Sequence, residues 1–350
     1  MHVPSQRLFV RMTTSLRTRL STLAKAVLAV LVVGALVLYV DPQAMAATIR
    51  AANPWLLALS VAMVIPNLWG NARAWAALMS PLMPQMERRT LWRAVLAGFA
   101  VGFFTPARIG EYAGRAFSVA YPNKWSVTAT VLLQRLIDLV IGLWVGTVVL
   151  AYVWHTGWLP REVGWGIGWG VVLIGGIAFA VVVTAGLLAP RTMLRLAKKL
   201  PSRWMAWGTH LSFLNRLSKR ATVLAVGWSA MRYGVFIAQM AVLVIAFDAS
   251  VALGPALAGA ALAYYIRYLI PSITLMDLGM REGAAVFFLP FFGADPAAAL
   301  NAALVVFALN IAAPSLVGAV FLRGLSFTHD TVPVQQAVPS PSSDSPPPAA

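Results

Sequence analysis

The chain has 350 residues, of which 60% are hydrophobic and only 11% charged, and its mean hydropathy is +0.77. A soluble domain carries about 25% charged residues, so these proportions exclude an ordinary soluble fold. Cysteine is absent, which excludes disulfides, thiolate nucleophiles and cysteine metal sites. The net charge is +16, and its distribution matters more than its size. Residues 1–25 carry Arg7, Arg11, Arg17, Arg19 and Lys25 without an acid, and residues 191–220 carry eight basic residues without an acid. Both blocks flank apolar runs. That is the positive-inside pattern of a membrane protein, and it calls for anionic phospholipid headgroups rather than nucleic acid.

Taken in order, the chain divides into a basic cytoplasmic segment over 1–25, a transmembrane domain over 26–323, and a tail over 324–350. The tail is rich in Pro and Ser and has the composition of a disordered segment. The first apolar run, 26–40, reads as an uncleaved helix. The second, 54–72, opens on Asn53-Pro54, a turn followed by proline in the first helical turn; Pro66 and Asn67 inside it predict a kink. A basic connector over 73–93 follows. Residues 94–107 are apolar but reach only ~21 Å against a hydrocarbon core of ~30 Å. With Gly98, Gly102 and Pro106 they predict a half-helix or re-entrant segment. Further spans are expected at 127–153, 164–188, 221–247, 251–270 and 297–321, with a second short apolar run at 283–293. The fold class is therefore all-α and polytopic, with about seven full spans and two short, broken elements. Continuous apolar runs of twenty residues rule out the alternating pattern of a β-barrel.

Ionisable residues inside apolar helices carry the functional signal, because lipid exposure of charge is costly. Three groups stand out. The first is Thr105-Pro106-Ala107-Arg108-Ile109-Gly110-Glu111-Tyr112-Ala113-Gly114-Arg115, where Pro106 can start a helix and Glu111 and Arg115 share a face at i,i+4. Arginine suits phosphate because its donors form a planar fork. The plain alternative is a charged turn that pairs only with itself. The second group is Gln134, Arg135 and Asp138, two to three turns into a span. It could equally be a packing pair that fixes the helix. The third is Arg267 and Pro271, then Gly279, Arg281, Glu282 and Gly283, with Arg232 as a further deep cation. Arg267 and Arg232 could instead extend toward an interface.

No Walker A, GxSxG or HExxH pattern occurs, and the four histidines are scattered without metal-ligand spacing. No cofactor or metal is expected, and ATP is not the direct energy source. Most of the 13 tryptophans lie near span ends, where interface anchoring explains them.

The first group resembles the Pro-Gly-Arg-x-Gly-Glu motif of the flippase-like transmembrane region of lysylphosphatidylglycerol synthases. The match falls on Pro106, Arg108, Gly110, Glu111 and Arg115, with Ala107 in place of the usual glycine. Gln134-Arg135-x-x-Asp138 resembles that family's acid-Arg-x-x-Asp helix, with Gln134 replacing the acid. Leu278-Gly279-x-Arg281-Glu282-Gly283 resembles its later Gly-Arg-Glu element, although residues 272–278 lack a Pro-Gly-Gly run. The likeness spans roughly residues 20–325 and contains no aminoacyl-transfer domain. It implies a stand-alone membrane protein, in a bacterial cytoplasmic membrane, that handles a lipid or polyprenyl-linked substrate.

The leading expectation is translocation of a lipid headgroup without direct ATP use. Arg108, Glu111, Arg115, Arg135, Asp138, Arg232, Arg267, Arg281 and Glu282 would bind it, while Pro106, Gly110, Gln134, Pro271, Gly279 and Gly283 would shape the site. A membrane-embedded enzyme or accessory subunit acting on a lipid, with Asp138 or Glu111 as base, is the first alternative. A structural scaffold is the second.

The charge bias places 191–220 in the cytoplasm and 155–163 outside. Single cysteines introduced into this cysteine-free chain test that placement in intact cells. An impermeant maleimide should label the 155–163 loop and spare 191–220; the reverse pattern defeats the topology.

Overall fold

A computed structural model describes residues 37–105, 108–159, 163–188, 217–269 and 279–322, and scattered positions of a helix between 27 and 35. The described residues are helical, and no strand occurs among them. Five helical stretches are long and apolar enough to cross a membrane: Pro54–Met79, Lys124–Thr156, Gly168–Ala185, Lys219–Phe247 and Pro296–Leu322. The protein is an all-α, polytopic integral membrane protein. The basic segment over 1–25, the 191–216 stretch, Pro106, Pro271 and the tail lie outside the described residues.

Four of the five long helical stretches begin at a polar side-chain cap. Asn53 accepts hydrogen bonds from the Trp55 and Leu56 amides at 3.0 and 3.3 Å, and Pro54 opens the helix behind it. Asn123, Ser218 and Asp295 cap the later spans in the same way. The short helix α1 (Pro42–Arg50) precedes the first described span. That span is split into α2 (Pro54–Ala62) and α3 (Val64–Met79), with Met63 at the break. Pro66 is the cause, since it has no N–H to give to the Ala62 carbonyl. The kink expected at Pro66 and Asn67 is present. A second irregularity, a π-turn over Ala308–Ala312, separates α11 (Pro296–Phe307) from α12 (Ala313–Leu322). Pro314 follows it and cannot donate to the Asn310 carbonyl.

Two helical hairpins fill the space between the spans. In the first, α4 (Arg88–Phe103) runs in and α5 (Gly110–Phe117) runs back. At 1.5 Å per residue these are ~24 and ~12 Å long, so neither crosses. The re-entrant reading of 94–107 therefore matches the observed shape. Four glycines let the two backbones touch. Gly98 and Gly102 on α4 face Arg115 and Glu111, while Gly110 and Gly114 on α5 face the Val101 and Ala97 carbonyls.

The second hairpin joins α9 (Leu253–Leu269) to α10 (Met280–Phe288) and a 3₁₀ turn over Leu289–Phe292. Its two ends meet at one end of the bundle, because the Asp295 amide donates to Asp248 Oδ2 at 2.9 Å. Gly259 on α9 lies against Leu289 and Phe292 on the returning limb. The stretch expected as a span at 251–270 thus pairs with the short run at 283–293, and the pair enters and leaves on one side.

The hairpins come from opposite ends. α12 packs Gly318 against Leu96 and Ser315 against the Phe99 carbonyl, so the first hairpin opens beside the C-terminal end of α12. The second opens beside the start of α11. α6 (Lys124–Thr156) packs against both hairpins, α8 (Lys219–Phe247) packs against the second and against α3, and α7 (Val163–Leu188) lies against α6. Tyr265 and Tyr268 of α9 seat against Gly146 and Gly142 of α6, where no larger side chain fits. Outward faces carry exposed apolar residues such as Ile65, Val148, Ile174, Val182, Val223 and Val320, as a lipid-facing surface requires.

Two motif glycines should respond oppositely to one methyl group. A Cβ at Gly110 would lie 2.4 Å from the Val101 carbonyl oxygen, whereas a Cβ at Gly283 meets nothing within 4 Å. Gly110→Ala should lower the detergent-solubilised melting temperature, by about 1–3 kcal/mol of overpacking. Gly283→Ala should leave it unchanged or raise it, through about 0.5–1 kcal/mol of helix propensity. Equal responses in a thermal-unfolding assay contradict this packing.

Candidate functional site

The site is built around one carboxylate. Glu111 opens α5 and is 1% exposed. Its Oε1 accepts from Arg115 Nη2 at 2.6 Å, its Oε2 accepts from Arg135 Nη2, and Arg108 Nη2 lies 3.2 Å from the same oxygen. Three arginines from three sequence positions therefore share one acid. Arg115 also donates from Nη1 to Gln134 Oε1 at 2.8 Å and from Nη2 to Asn71 Oδ1 at 3.1 Å. Gln134 Nε2 closes the loop by donating to Asn71 Oδ1 at 2.9 Å. The Trp75 ring covers the guanidinium of Arg115 at 5.1 Å. This network explains how α3, α5 and α6 hold their relative positions.

Arg108 sits at the tip of the first hairpin with φ of +55°. A non-glycine residue in the left-handed region costs energy and is held there by its surroundings. Its amide donates to the Thr105 carbonyl, and its own carbonyl accepts from the Glu111 amide, so the tip is a tight hydrogen-bonded turn. The Phe99 ring lies 4.8 Å from its guanidinium.

At the tip of the second hairpin, Arg281 Nη2 donates to Glu282 Oε1, and Glu282 Oε2 accepts from the Gly279 amide at 2.7 Å. Gly279 has φ of +91°, which explains why glycine stands there. Between the hairpins, Arg232 of α8 donates to Asp138 Oδ2 of α6. These charges lie ~15–20 Å along their helices, near mid-depth.

The two tips and the α6–α8 pair border a cavity of about 80 Å³, room for a few waters. Arg108, Arg135, Asp138, Arg232, Arg267 and Arg281 line it. Glu111, Arg115, Gln134 and Glu282 sit behind that wall. Gly110 and Gly279 shape its two tips, Gly283 lies one turn into α10, and Pro106 and Pro271 lie outside the described residues. Arg115 is directed away from the cavity because Trp75, Asn71 and Gln134 occupy its donors and its face.

Sequence reasoning from charge alone overlooked the neutral half of the site. Tyr233, Tyr264 and Tyr268 line the cavity together with Asn67, Asn71 and Asn310. A ladder of amides ties these walls to α2. Asn67 Nδ2 donates to Asn310 Oδ1 at 2.5 Å, Asn310 Nδ2 to Gln239 Oε1 at 2.8 Å, and Gln239 Nε2 to the Ser60 carbonyl at 2.8 Å. The signal available was three amides inside apolar runs, one of them four residues before Pro314.

The family model of the lysylphosphatidylglycerol synthase transmembrane region matches residues 23–318. The chain belongs to this family. No curated protein and no solved structure gives a match. Membership gives this integral membrane protein a lipid-related setting, and the geometry shows that the three charged groups converge although they are distant in the chain.

Sharing one acid among three cations makes Glu111 the residue whose loss should cost most. Glu111→Gln should destabilise by roughly 3–5 kcal/mol, the cost of leaving buried charge unpaired. Adding Arg115→Gln should not restore stability, because Arg108 and Arg135 still face a neutral amide. Full recovery in that double variant, read as monodisperse yield and melting temperature, contradicts the shared-acid arrangement.

Proposed function

We propose that the protein translocates the polar headgroup of a lipid or polyprenyl-linked molecule across a bacterial cytoplasmic membrane while the tail remains in the bilayer. One observation carries this reading: hairpins from opposite ends of the bundle bring their charged tips to one mid-depth cavity. A half-crossing segment with exposed backbone is tolerated only against protein or a polar cavity. Two such segments of opposite sense give a substrate site that either side can be opened toward, the logic of alternating access. The cavity's charges would replace the water that a headgroup loses on leaving the interface. No covalent step is required, and the basic cytoplasmic stretches would bind anionic phospholipids as anchors.

The test is headgroup translocation in proteoliposomes containing only this protein, with fluorescent lipids and a membrane-impermeant quencher. The wild-type chain should move label between leaflets without ATP. Asp138→Asn together with Arg232→Gln removes one ion pair as a unit. It should retain the fold, since breaking a pair from both sides leaves no orphan charge, and should slow translocation at least about tenfold. An unchanged rate in a folded double variant removes the pair from the mechanism, and absence of wild-type translocation across a broad lipid panel defeats the reading.

A further inference from the structure

We infer that α2 is a hinged flap beside the cavity, pivoting at Met63–Pro66 and latched by the amide ladder, and that its movement away from α8 opens the cavity toward the end of the bundle where α2 begins. The hinge and the latch stand on packing and hydrogen bonding; their use as a gate rests on the translocation reading.

Two helix breaks meet at one level. Met63 and Pro66 separate α2 from α3, and the π-turn over Ala308–Ala312 separates α11 from α12. Asn67, one residue past Pro66, donates to Asn310 in the middle of the π-turn at 2.5 Å. α2 and α11 lie on the same side of this level. The Asn53 amide, just before α2, donates to the Ala246 carbonyl near the end of α8, and the Asp295 amide, just before α11, donates to Asp248 beyond that end. α6 and α8 run past the level unbroken. A regular helix resists bending, so movement concentrates where backbone hydrogen bonds are already missing. Pro66 leaves the Ala62 carbonyl without its helical donor.

Burial distinguishes the two segments that the breaks release. α11 buries eight of its twelve residues, whereas α2 buries Ser60 alone among nine. Trp55, Leu59 and Val61 of α2 are exposed, and Leu57 is only partly buried against the apolar cluster of α8 and α11. Few buried apolar contacts mark a segment of low local stability. Among the described residues, two hydrogen bonds join this segment to α8: the Asn53–Ala246 bond at 2.9 Å, and Gln239 Nε2 on the Ser60 carbonyl at 2.8 Å. Both are neutral. Gln239 also accepts from Asn310, and Asn310 and Asn67 line the cavity. Withdrawal of Ser60 therefore uncovers the Gln239–Asn310 rung directly behind the cavity wall. A small change at the latch is converted into movement of a whole half-helix, as in other hinged closures.

The experiment uses the full-length protein in nanodiscs, with spin labels on cysteines introduced at Trp55 and Tyr152, both exposed. A pair at Leu253 and Tyr152 is the control. Electron–electron resonance should give a short and a long Trp55–Tyr152 separation but one Leu253–Tyr152 separation. Gln239→Leu leaves Asn310 Nδ2 its bond to the Val306 carbonyl at 3.1 Å. It should raise the long-to-short ratio about tenfold, as loss of the latch allows. Pro66→Ala supplies the missing N–H and should lower the ratio several-fold. If Gln239→Leu does not fold, Pro66→Ala decides alone. One Trp55–Tyr152 separation shared by the wild type and the folded variants, or an equal response of the control pair, overturns the hinge. Ser60→Cys with Gln239→Cys, joined by oxidation, should slow headgroup translocation in proteoliposomes at least about tenfold and regain the rate on reduction. Unchanged translocation in the cross-linked protein overturns the gate while leaving translocation intact. A moving α2 without translocation of any lipid upholds the hinge and overturns translocation.

Discussion

Everything in the centre of this protein depends on keeping charge buried at mid-depth without stranding it. Water is absent from the hydrocarbon region, so every cation there needs a fixed partner or a ligand. Glu111 meets that constraint for three arginines at once, and its position is fixed by the hairpin that carries it. The hairpin in turn exists because Gly98, Gly102, Gly110 and Gly114 allow two backbones to approach within contact distance. Sequence, packing and electrostatics therefore depend on one another here: a bulkier residue at Gly110 moves Glu111, and a displaced Glu111 releases Arg108 and Arg135.

The identity of residue 134 shows how finely the balance is set. Gln134 lies behind the cavity wall, accepts from Arg115 and donates to Asn71. A carboxylate there would neutralise one arginine but could not donate to Asn71, so that contact would become an acceptor–acceptor clash. The amide satisfies both neighbours without adding a charge behind the cavity wall.

Much of the architecture was legible in the sequence. Long apolar runs gave the spans. Proline at 66 gave the kink, and the shortness of 94–107 gave the first re-entrant hairpin. The three charged groups were recognisable because charge inside apolar helices is expensive and therefore conspicuous. The second hairpin was not legible. Residues 253–269 are apolar enough to resemble a span, and only the return contact between Asp295 and Asp248 reveals that the chain comes back on the same side. The tyrosines were missed for a related reason. An aromatic residue in an apolar helix carries no hydropathy signal of its polar tip, so Tyr233 and Tyr264 emerge only when three-dimensional packing shows where their hydroxyls are left.

Neutral amides and charged groups divide the work between scaffold and site. The ladder from Asn67 through Asn310 and Gln239 to Ser60 is fully buried and joins four helical segments. A neutral hydrogen bond contributes only about 0.5–1.5 kcal/mol net, so such a ladder orients helices while remaining breakable one rung at a time. Asn310 lies in the π-turn, where the backbone already departs from regular helix and Pro314 removes a hydrogen bond. An ion pair in the same place would cost far more to open, because each separated partner would be an uncompensated charge. Charges are instead confined to the hairpin tips and the α6–α8 pair, around the cavity. The neutral rungs that join the π-turn to α3 and α8 are therefore cheaper to break than the ion pairs of the site.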